Sequence, residues 1–162
     1  MNAPMTAPLL DIRNLNVRFG ADGQGVHAVR DVSFSIDAGE RFALVGESGS
    51  GKSVTALSIL RLLPEARSDG RILWSGEDLM GRSERQMRGI RGAEIAMIFQ
   101  EPMTALNPLY PVGHQIVESI ELHEGLPRHA AEKRARALLA RTGIPDADKK
   151  FGSFPHQLSG GQ

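Results

Sequence analysis

The sequence predicts an α/β fold organised around one buried strand, one glycine-rich turn and one buried helix. The run 42–45 (FALV) is short and apolar, and the segment 54–63 is apolar nearly all round before Pro64 ends it. The turn 46–53, GESGSGKS, joins these two segments. Strand, turn and helix therefore follow one another in the order that a phosphate-binding loop requires.

The chemistry of the turn predicts a nucleotide site. Several consecutive backbone N–H groups must point at one phosphate, and glycines remove the side chains that obstruct this concave path. Lys52 places a positive charge at the β- and γ-phosphates, and the Ser53 hydroxyl is a hard oxygen ligand suited to Mg²⁺. We therefore expect ATP and Mg²⁺ to bind through seven loop residues, which are Gly46, Ser48, Gly49, Ser50, Gly51, Lys52 and Ser53.

The composition narrows the class of protein. Of the 162 residues, 41% are hydrophobic, which suits a soluble domain with a sizeable core. Lys+Arg and Asp+Glu both number 19, so no basic field favours nucleic acid or an anionic membrane. Cysteine is absent, which excludes disulfides and thiolate metal sites. No run suits a secretory signal or a membrane span, so we expect any membrane association to pass through a partner protein.

The segments around the turn predict the rest of the first part of the chain, residues 1–100. The runs 9–19 and 26–36 alternate as strands do and predict an antiparallel β-layer, and 70–74 is a further predicted strand. The run 94–99 (EIAMIF) predicts a second buried parallel strand that ends at Gln100. A polar residue in that position lies where open α/β sheets bind ligands.

A charged segment, 83–91, separates these predicted strands. Four arginines at or beside it recur at i, i+3 spacing, namely Arg82, Arg85, Arg88 and Arg91. They could form a stripe that tracks phosphates, but a solvated helix face with Glu84 nearby explains them more simply.

The second part, residues 101–162, has a different character. A proline-punctuated loop, EPMTALNPLYP, leads into predicted helices at 112–124 and 128–142, and this helical insert ends near Gly143. A connector at 152–157 then leads to LSGGQ at 158–162, in which Ser159 is placed as the N-cap of a following helix.

Taken together, GESGSGKS, IFQEP around Gln100 and the final LSGGQ resemble the nucleotide-binding domain of ABC transporters, from Leu9 to Gln162. The stretches ALVGESGSGKSVTALSILRLLP, AMIFQEPMTALNPLYPVGHQI and FPHQLSGGQ look like the importer ATPases for dipeptides and oligopeptides, including the microcin C type. The resemblance implies a P-loop ABC-type core with an antiparallel β-layer and a helical subdomain.

The same resemblance implies roles for residues outside the loop. Phe19 occupies the position of the aromatic that stacks on adenine, although a core aromatic at a strand end is the alternative. Gln100 matches the glutamine that contacts Mg²⁺ or the attacking water, so Lys52 and Gln100 are the expected catalytic residues, and Ser53 and Gln100 the metal ligands. Ser159 and Gly161 match the signature residues whose hydroxyl and backbone N–H hold the γ-phosphate of ATP bound to the opposite subunit, and Gly160 and Gln162 beside them are expected to bind nucleotide as well. His156 is expected to make only local contacts.

The chain also departs from the family pattern, since no Walker B strand, D-loop or switch histidine follows the signature. We therefore expect an N-terminal part of a longer ATPase, inactive by itself because it lacks the carboxylate that positions the attacking water. Loss of the Walker B strand would also leave apolar strand surface without a partner.

The expected function of the complete protein is ATP hydrolysis that drives uptake of di- or oligopeptides. The resemblance implies a second ATPase subunit arranged head to tail, transmembrane permease subunits, an indirectly associated substrate-binding protein and a position at the cytoplasmic face of the cell membrane, with no nucleic acid. Two alternatives stay open. One is a non-transport ABC ATPase that acts on nucleic acid or ribosomes, and the other is a short protein that binds nucleotide without hydrolysing it.

Overall fold

The computed structural model describes residues 7–20, 25–99 and 105–162. Backbone contacts divide the chain into two compact units, Met1–Arg91 and Gly92–Gln162. The expected division between 1–100 and 101–162 separates parts by their proposed roles and stays a prediction.

The first unit is built on an antiparallel sheet, as the alternating runs predict. Its strands are β1 (Leu10–Phe19), β2 (Val26–Ile36), β3 (Ala66–Trp74) and β4 (Glu77–Asp78), in the spatial order β2-β1-β3-β4. Leu10 of β1 lies opposite Ile36 of β2 and Trp74 of β3. Strand β1 is therefore central, which explains why its inward side chains form most of the buried sheet face.

A bulge in β1 changes the phase of its apolar alternation. Leu10 and Ile12 are buried, and so are Leu15 and Val17, so one extra residue separates the two inward pairs. Asn14 takes up this residue in a left-handed conformation, with φ of 50°. Its backbone N–H donates to Ser33 Oγ at 2.8 Å, which compensates for the interrupted ladder.

The described residues of this unit also form two helices, α1 (Lys52–Ile59) and α2 (Glu84–Ile90). Helix α1 is shorter than the predicted 54–63 segment at its C-terminal end, because the chain turns left-handed at Arg61 (φ 51°) before it reaches Pro64. Helix α2 begins with a capping box. The Ser83 N–H donates to Gln86 Oε1 at 2.8 Å, and the Gln86 N–H donates to Ser83 Oγ at 3.4 Å.

The two predicted parallel strands are wrong for this structure. The run 42–45 forms no strand, and 94–99 forms none beyond an isolated bridge at Ile95. Phe42 stacks on Phe34 with ring centroids 4.8 Å apart, but Val45 is 85% exposed and Ile98 is 94% exposed. A buried parallel strand needs neighbours on both edges, and no described strand pairs with either run. Val45 and Ile98 consequently face outward.

The second unit is helical, and both predicted helices are confirmed. Helix α3 covers Val112–Glu124, α4 covers Arg128–Arg141, α5 covers Ala147–Phe151, and a 3₁₀ turn follows at Pro155–Gln157. Its core is formed by Val117, Ile120, Ala131 and Ala135.

The close packing of α3 on α5 depends on a glycine. A Cβ at Gly113 would lie 2.5 Å from the Phe151 ring. The Val112 N–H also donates to the Ser153 carbonyl at 2.9 Å, which fixes the start of α3 on the segment after α5.

Candidate nucleotide-binding site

The glycine-rich loop wraps around the ammonium group of Lys52, the first residue of α1. Lys52 Nζ donates to the carbonyl oxygens of Gly46 at 2.7 Å and Glu47 at 2.6 Å, and to Ser50 Oγ at 3.3 Å. These three contacts match the three donors of an ammonium group. The loop therefore holds one positive charge at its centre, in the position that the sequence predicts for phosphate binding.

The glycines of the loop are required for two different structural reasons. Gly51 has φ of 91°, and a Cβ there would lie 2.4 Å from the carbonyl oxygen of Ala28 in β2. Gly49 has φ of 83° but open space around it, so only its backbone conformation demands glycine. At Gly46 a Cβ would lie 2.8 Å from Ser50 Oγ. The loop can thus turn tightly and pack directly on the sheet.

The N-terminus of α1 is suited to an anion. Gly51 is its N-cap, and no side chain accepts a hydrogen bond from its first turn. The free N–H groups and the positive end of the helix dipole therefore lie beside Lys52. The loop residues 46–50 and Ser53 are exposed, so a phosphate can reach them from solvent.

Side chain and backbone also join α1 to the loop. The N–H and Oγ1 of buried Thr55 both donate to the Gly51 carbonyl, at 2.8 and 3.0 Å. Sequence reasoning missed this threonine and the packing of Gly51 on Ala28. The four-residue spacing from Gly51 to Thr55 was the available signal for the threonine, whereas no local pattern indicates the contact with β2.

The donors suited to Mg²⁺ are limited. Among the described residues, no group of three or more His, Cys, Asp or Glu side chains is placed to hold a metal ion. Ser53 offers a hydroxyl on the exposed side of the first turn of α1, and Gln100 lies outside the described residues. Ser53 fits an ion held chiefly by phosphate oxygens and water, which is how Mg²⁺ commonly binds beside nucleotides.

Phe19 lies at the end of β1, opposite Val26 of β2 and Ala66 of β3. Its side chain is half-buried. This intermediate exposure is compatible with both the predicted stacking on adenine and a packing role.

The signature segment forms one ordered turn in the second unit. The Gln162 N–H donates to the Ser159 carbonyl at 2.9 Å, and the Ser159 N–H donates to Gln162 Oε1 at 3.2 Å. This second bond is half of a capping box, which agrees with the placement of Ser159 as an N-cap. Gly160 and Gly161 have open space around them. All four signature residues are exposed, so their backbone groups can meet a ligand.

His156 contacts its own segment. Its ring stacks on Phe154 with centroids 5.8 Å apart. This packing favours the local role that the sequence predicts for the histidine.

The described end of the loop after Gln100, residues 105–111, is hydrogen-bonded to α3 through Gln115. The Asn107 N–H donates to Gln115 Oε1, and Gln115 Nε2 donates to the carbonyls of Asn107 and Tyr110, each at 2.9 Å. Leu109 beside them is 78% exposed. These hydrogen bonds hold residues 107–110 against α3, and the apolar side chain of Leu109 faces outward.

No helix in the described ranges 7–20, 25–99 and 105–162 has the length and apolar character needed to cross a membrane.

Comparison with known proteins gives the family. The family model described as "ABC transporter" matches residues 29–162. A putative peptide import ATP-binding protein of Brucella abortus is 50% identical over 159 residues, covering 97% of this chain and 48% of that protein. The dipeptide transport ATP-binding protein of Bacillus subtilis is 50% identical over 156 residues, covering 94% of this chain and 47% of that protein. The chain thus spans about half the length of these curated relatives.

Solved structures give the same fold. A dimeric bacterial ABC transporter cassette aligns with a TM-score of 0.81 at 22% identity, covering 94% of this chain and 64% of that one. A component of an ABC transporter complex from Clostridium perfringens aligns with a TM-score of 0.69 at 27% identity, covering 96% and 57%. Because the family model matches residues 29–162, the chain belongs to the ABC transporter family. Its structure, including the loop around Lys52, has the fold of the ATPase cassettes of that family.

Proposed function

We propose that this chain carries the phosphate-binding loop and the signature of an ATPase subunit that powers peptide import. The observation that carries the proposal is the position of Lys52 Nζ inside the loop, beside the uncapped N-terminus of α1. A fixed cation and free N–H groups at one point stabilise a polyphosphate. Relatives named for import of peptides and dipeptides support the cargo class.

In the proposed site, each ATP is held by two subunits. Lys52 binds the β- and γ-phosphates from one subunit, and the Ser159 hydroxyl with the N–H groups of Gly160 and Gly161 binds the γ-phosphate from the other. Bound Mg²⁺ supplies charge neutralisation at the phosphates, with Ser53 and Gln100 as its protein ligands. Loop residues 46–50 and Ser53 and the signature residues 159–162 are exposed, which a site shared between molecules requires.

The proposed partners follow from the same assignment. They are a second ATPase subunit, transmembrane permease subunits and, indirectly, a substrate-binding protein, at the cytoplasmic face of the cell membrane. We assign the loop after Gln100, with exposed Leu109 and Tyr110, to contact with the permease. The alternative of an ATPase acting on nucleic acid is less well supported, because the chain carries equal numbers of basic and acidic residues.

Titration with a fluorescent ATP analogue tests the proposal. Lys52→Ala should weaken binding by roughly 2–4 kcal/mol, about thirtyfold or more, because it removes the cation from the loop. Lys133→Ala, on the exposed face of α4, is the matched control and should bind as wild type does. Equal affinity of wild type and Lys52→Ala would remove Lys52 from the site.

A further inference from the structure

The C-terminal end of α1 is closed by an unusual residue. The Leu62 N–H donates to the Leu57 carbonyl and the Arg61 N–H to the Ser58 carbonyl, both at 3.0 Å. These are the two bonds of a Schellman motif, in which the residue at the Arg61 position is left-handed and is usually glycine. An arginine with φ of 51° is disfavoured there, so its side chain must compensate by what it contacts.

The Arg61 side chain reaches away from its own helix. Its Nη1 donates to the Leu79 carbonyl at 3.2 Å and to the Arg82 carbonyl. These carbonyls belong to the turn between β4 and α2. The end of α1 is therefore fastened to the segment that precedes α2.

Arg91, the C-cap residue of α2, forms a second link between the two helices, because its side chain donates to the end of α1. Its Nε donates to the Leu60 carbonyl at 2.8 Å and its Nη2 to the Arg61 carbonyl at 3.3 Å, while Nη1 pairs with Glu84. The Leu60 and Arg61 carbonyls follow the last turn of α1, where a cation is favoured by the helix dipole. Only 22% of the Arg91 side chain is exposed, so solvent replaces these bonds poorly.

We propose that Arg91 is a positioning residue for nucleotide binding, which fixes α1 so that Lys52 and Ser53 meet the phosphates. This inference rests on the proposed function and assigns a role to one arginine that spacing alone placed on a solvated face. Helix α1 has eight residues and is about 12 Å long, and its internal hydrogen bonds couple a displacement of its C-terminal end to Lys52. A shift at Leu60 therefore moves Lys52 as well.

A small displacement of the N-terminal end of α1 towards the sheet would cause a steric clash. Gly51 already lies so close to Ala28 that no Cβ fits between them. Helix α1 is thus held at one end by the sheet and at the other by Arg91.

Nucleotide titration of the chain with Arg91→Ala, Arg91→Lys and Arg85→Ala tests this role. Arg85 is exposed on the same helix and serves as the matched control. We expect Arg91→Ala to raise the Kd for a fluorescent ATP analogue about tenfold, as loss of hydrogen bonds from a charged donor implies. Arg91→Lys should recover part of this loss because it retains a cation for the Leu60 carbonyl, and Arg85→Ala should leave the Kd unchanged.

The measurement is made well below the unfolding midpoint of each variant, with folding checked by circular dichroism. Amide hydrogen exchange at 52–55 provides a second readout and should accelerate in Arg91→Ala. If Arg91→Ala lowers the Tm but leaves both the Kd and the exchange at 52–55 unchanged, Arg91 is merely structural and the proposal is overturned. If Arg91→Ala does not fold, Arg91→Gln, which removes the cation but keeps a long polar side chain, replaces it, and an unchanged Kd with unchanged exchange at 52–55 in folded Arg91→Gln overturns the proposal equally. Failure of the proposed function is distinguishable, because wild type and Lys52→Ala would then bind alike.

Discussion

Gly51 and Ala28 are in contact through their backbones, because a Cβ added to Gly51 would lie 2.4 Å from the Ala28 carbonyl oxygen. This relationship ties the phosphate-binding loop to β2. It places the start of α1 against the sheet with no room for a side chain. The loop is therefore positioned by a strand that lies well before it in the sequence.

Gly51→Ala should abolish measurable nucleotide binding and destabilise the first unit by about 2 kcal/mol or more, because it combines a positive φ with a backbone clash. Gly89→Ala in α2 is the control, since a Cβ there has open space. Thermal unfolding and nucleotide titration check the pair. Wild-type binding by Gly51→Ala would show that the loop does not depend on this contact.

Sequence reasoning predicted the glycine-rich turn before α1, the antiparallel layer and the two long helices correctly, because each has a strong local signal. Helix α3 carries apolar residues at helical spacing and ends at Gly125, which adopts the left-handed conformation of a C-cap. The bulge at Asn14 was not predictable, since it depends on pairing with β2 and β3. Periodicity reports which face is apolar, but not which partner covers it.

The runs 42–45 and 94–99 show the same limit. Their composition is that of buried strands, yet no described strand pairs with them, and Val45 and Ile98 are exposed. Exposed apolar segments of this kind favour association with other chains.

We therefore expect the 162-residue chain to self-associate at concentrations of tens of micromolar, and the double variant Val45→Lys/Ile98→Lys to be largely monomeric, since added charge opposes strand pairing between chains. Sedimentation velocity measures both. Leu122→Lys is the control, because Leu122 is 77% exposed but lies in α3, where the backbone is already paired. Identical sedimentation of wild type and the double variant would contradict the expectation.

The ion pair between Glu84 and Arg91 makes the stability of the fold depend on pH. Its hydrogen bond with Arg91 lowers the pKa of the Glu84 carboxyl below its ordinary value of 4.5, and Arg61 and Arg88 add smaller effects. The contribution to stability is thus fully present above pH 4.5 and is lost as the pH falls through the lowered pKa.

Glu84→Gln should lower the Tm slightly at pH 7, and its difference from wild type should shrink as the pH falls from 4.5 through the lowered pKa of Glu84, because both side chains are uncharged once that pKa is passed. Thermal unfolding across this pH range measures the effect. Glu65→Gln, at an exposed site, is the control. A difference between Glu84→Gln and wild type that grows towards acid pH would mean that the ion pair does not stabilise the fold.

The arginine pattern was the hardest to interpret from sequence. The i, i+3 spacing predicts the same solvent-exposed environment for Arg85 and Arg91. In the structure Arg85 is exposed, whereas the Arg91 side chain donates to the Leu60 carbonyl at the end of α1. The different environments of Arg85 and Arg91 depend on where α1 ends. Helix α1 ends at the left-handed turn of Arg61, a conformation that arginine rarely adopts. Local patterns could not indicate it.

The central claim is that Lys52 of one subunit and Ser159 of another act on the same ATP. The most direct test is the ATPase rate of mixed dimers of the whole protein. Pairing a Lys52→Ala subunit with a Ser159→Arg subunit places both lesions in one composite site and leaves the other intact, whereas both changes in one subunit damage both sites. With independent sites, we expect about half of the two-site activity from the first arrangement and almost none from the second. Equal activity from the two arrangements, with dimerisation confirmed, would contradict the shared site.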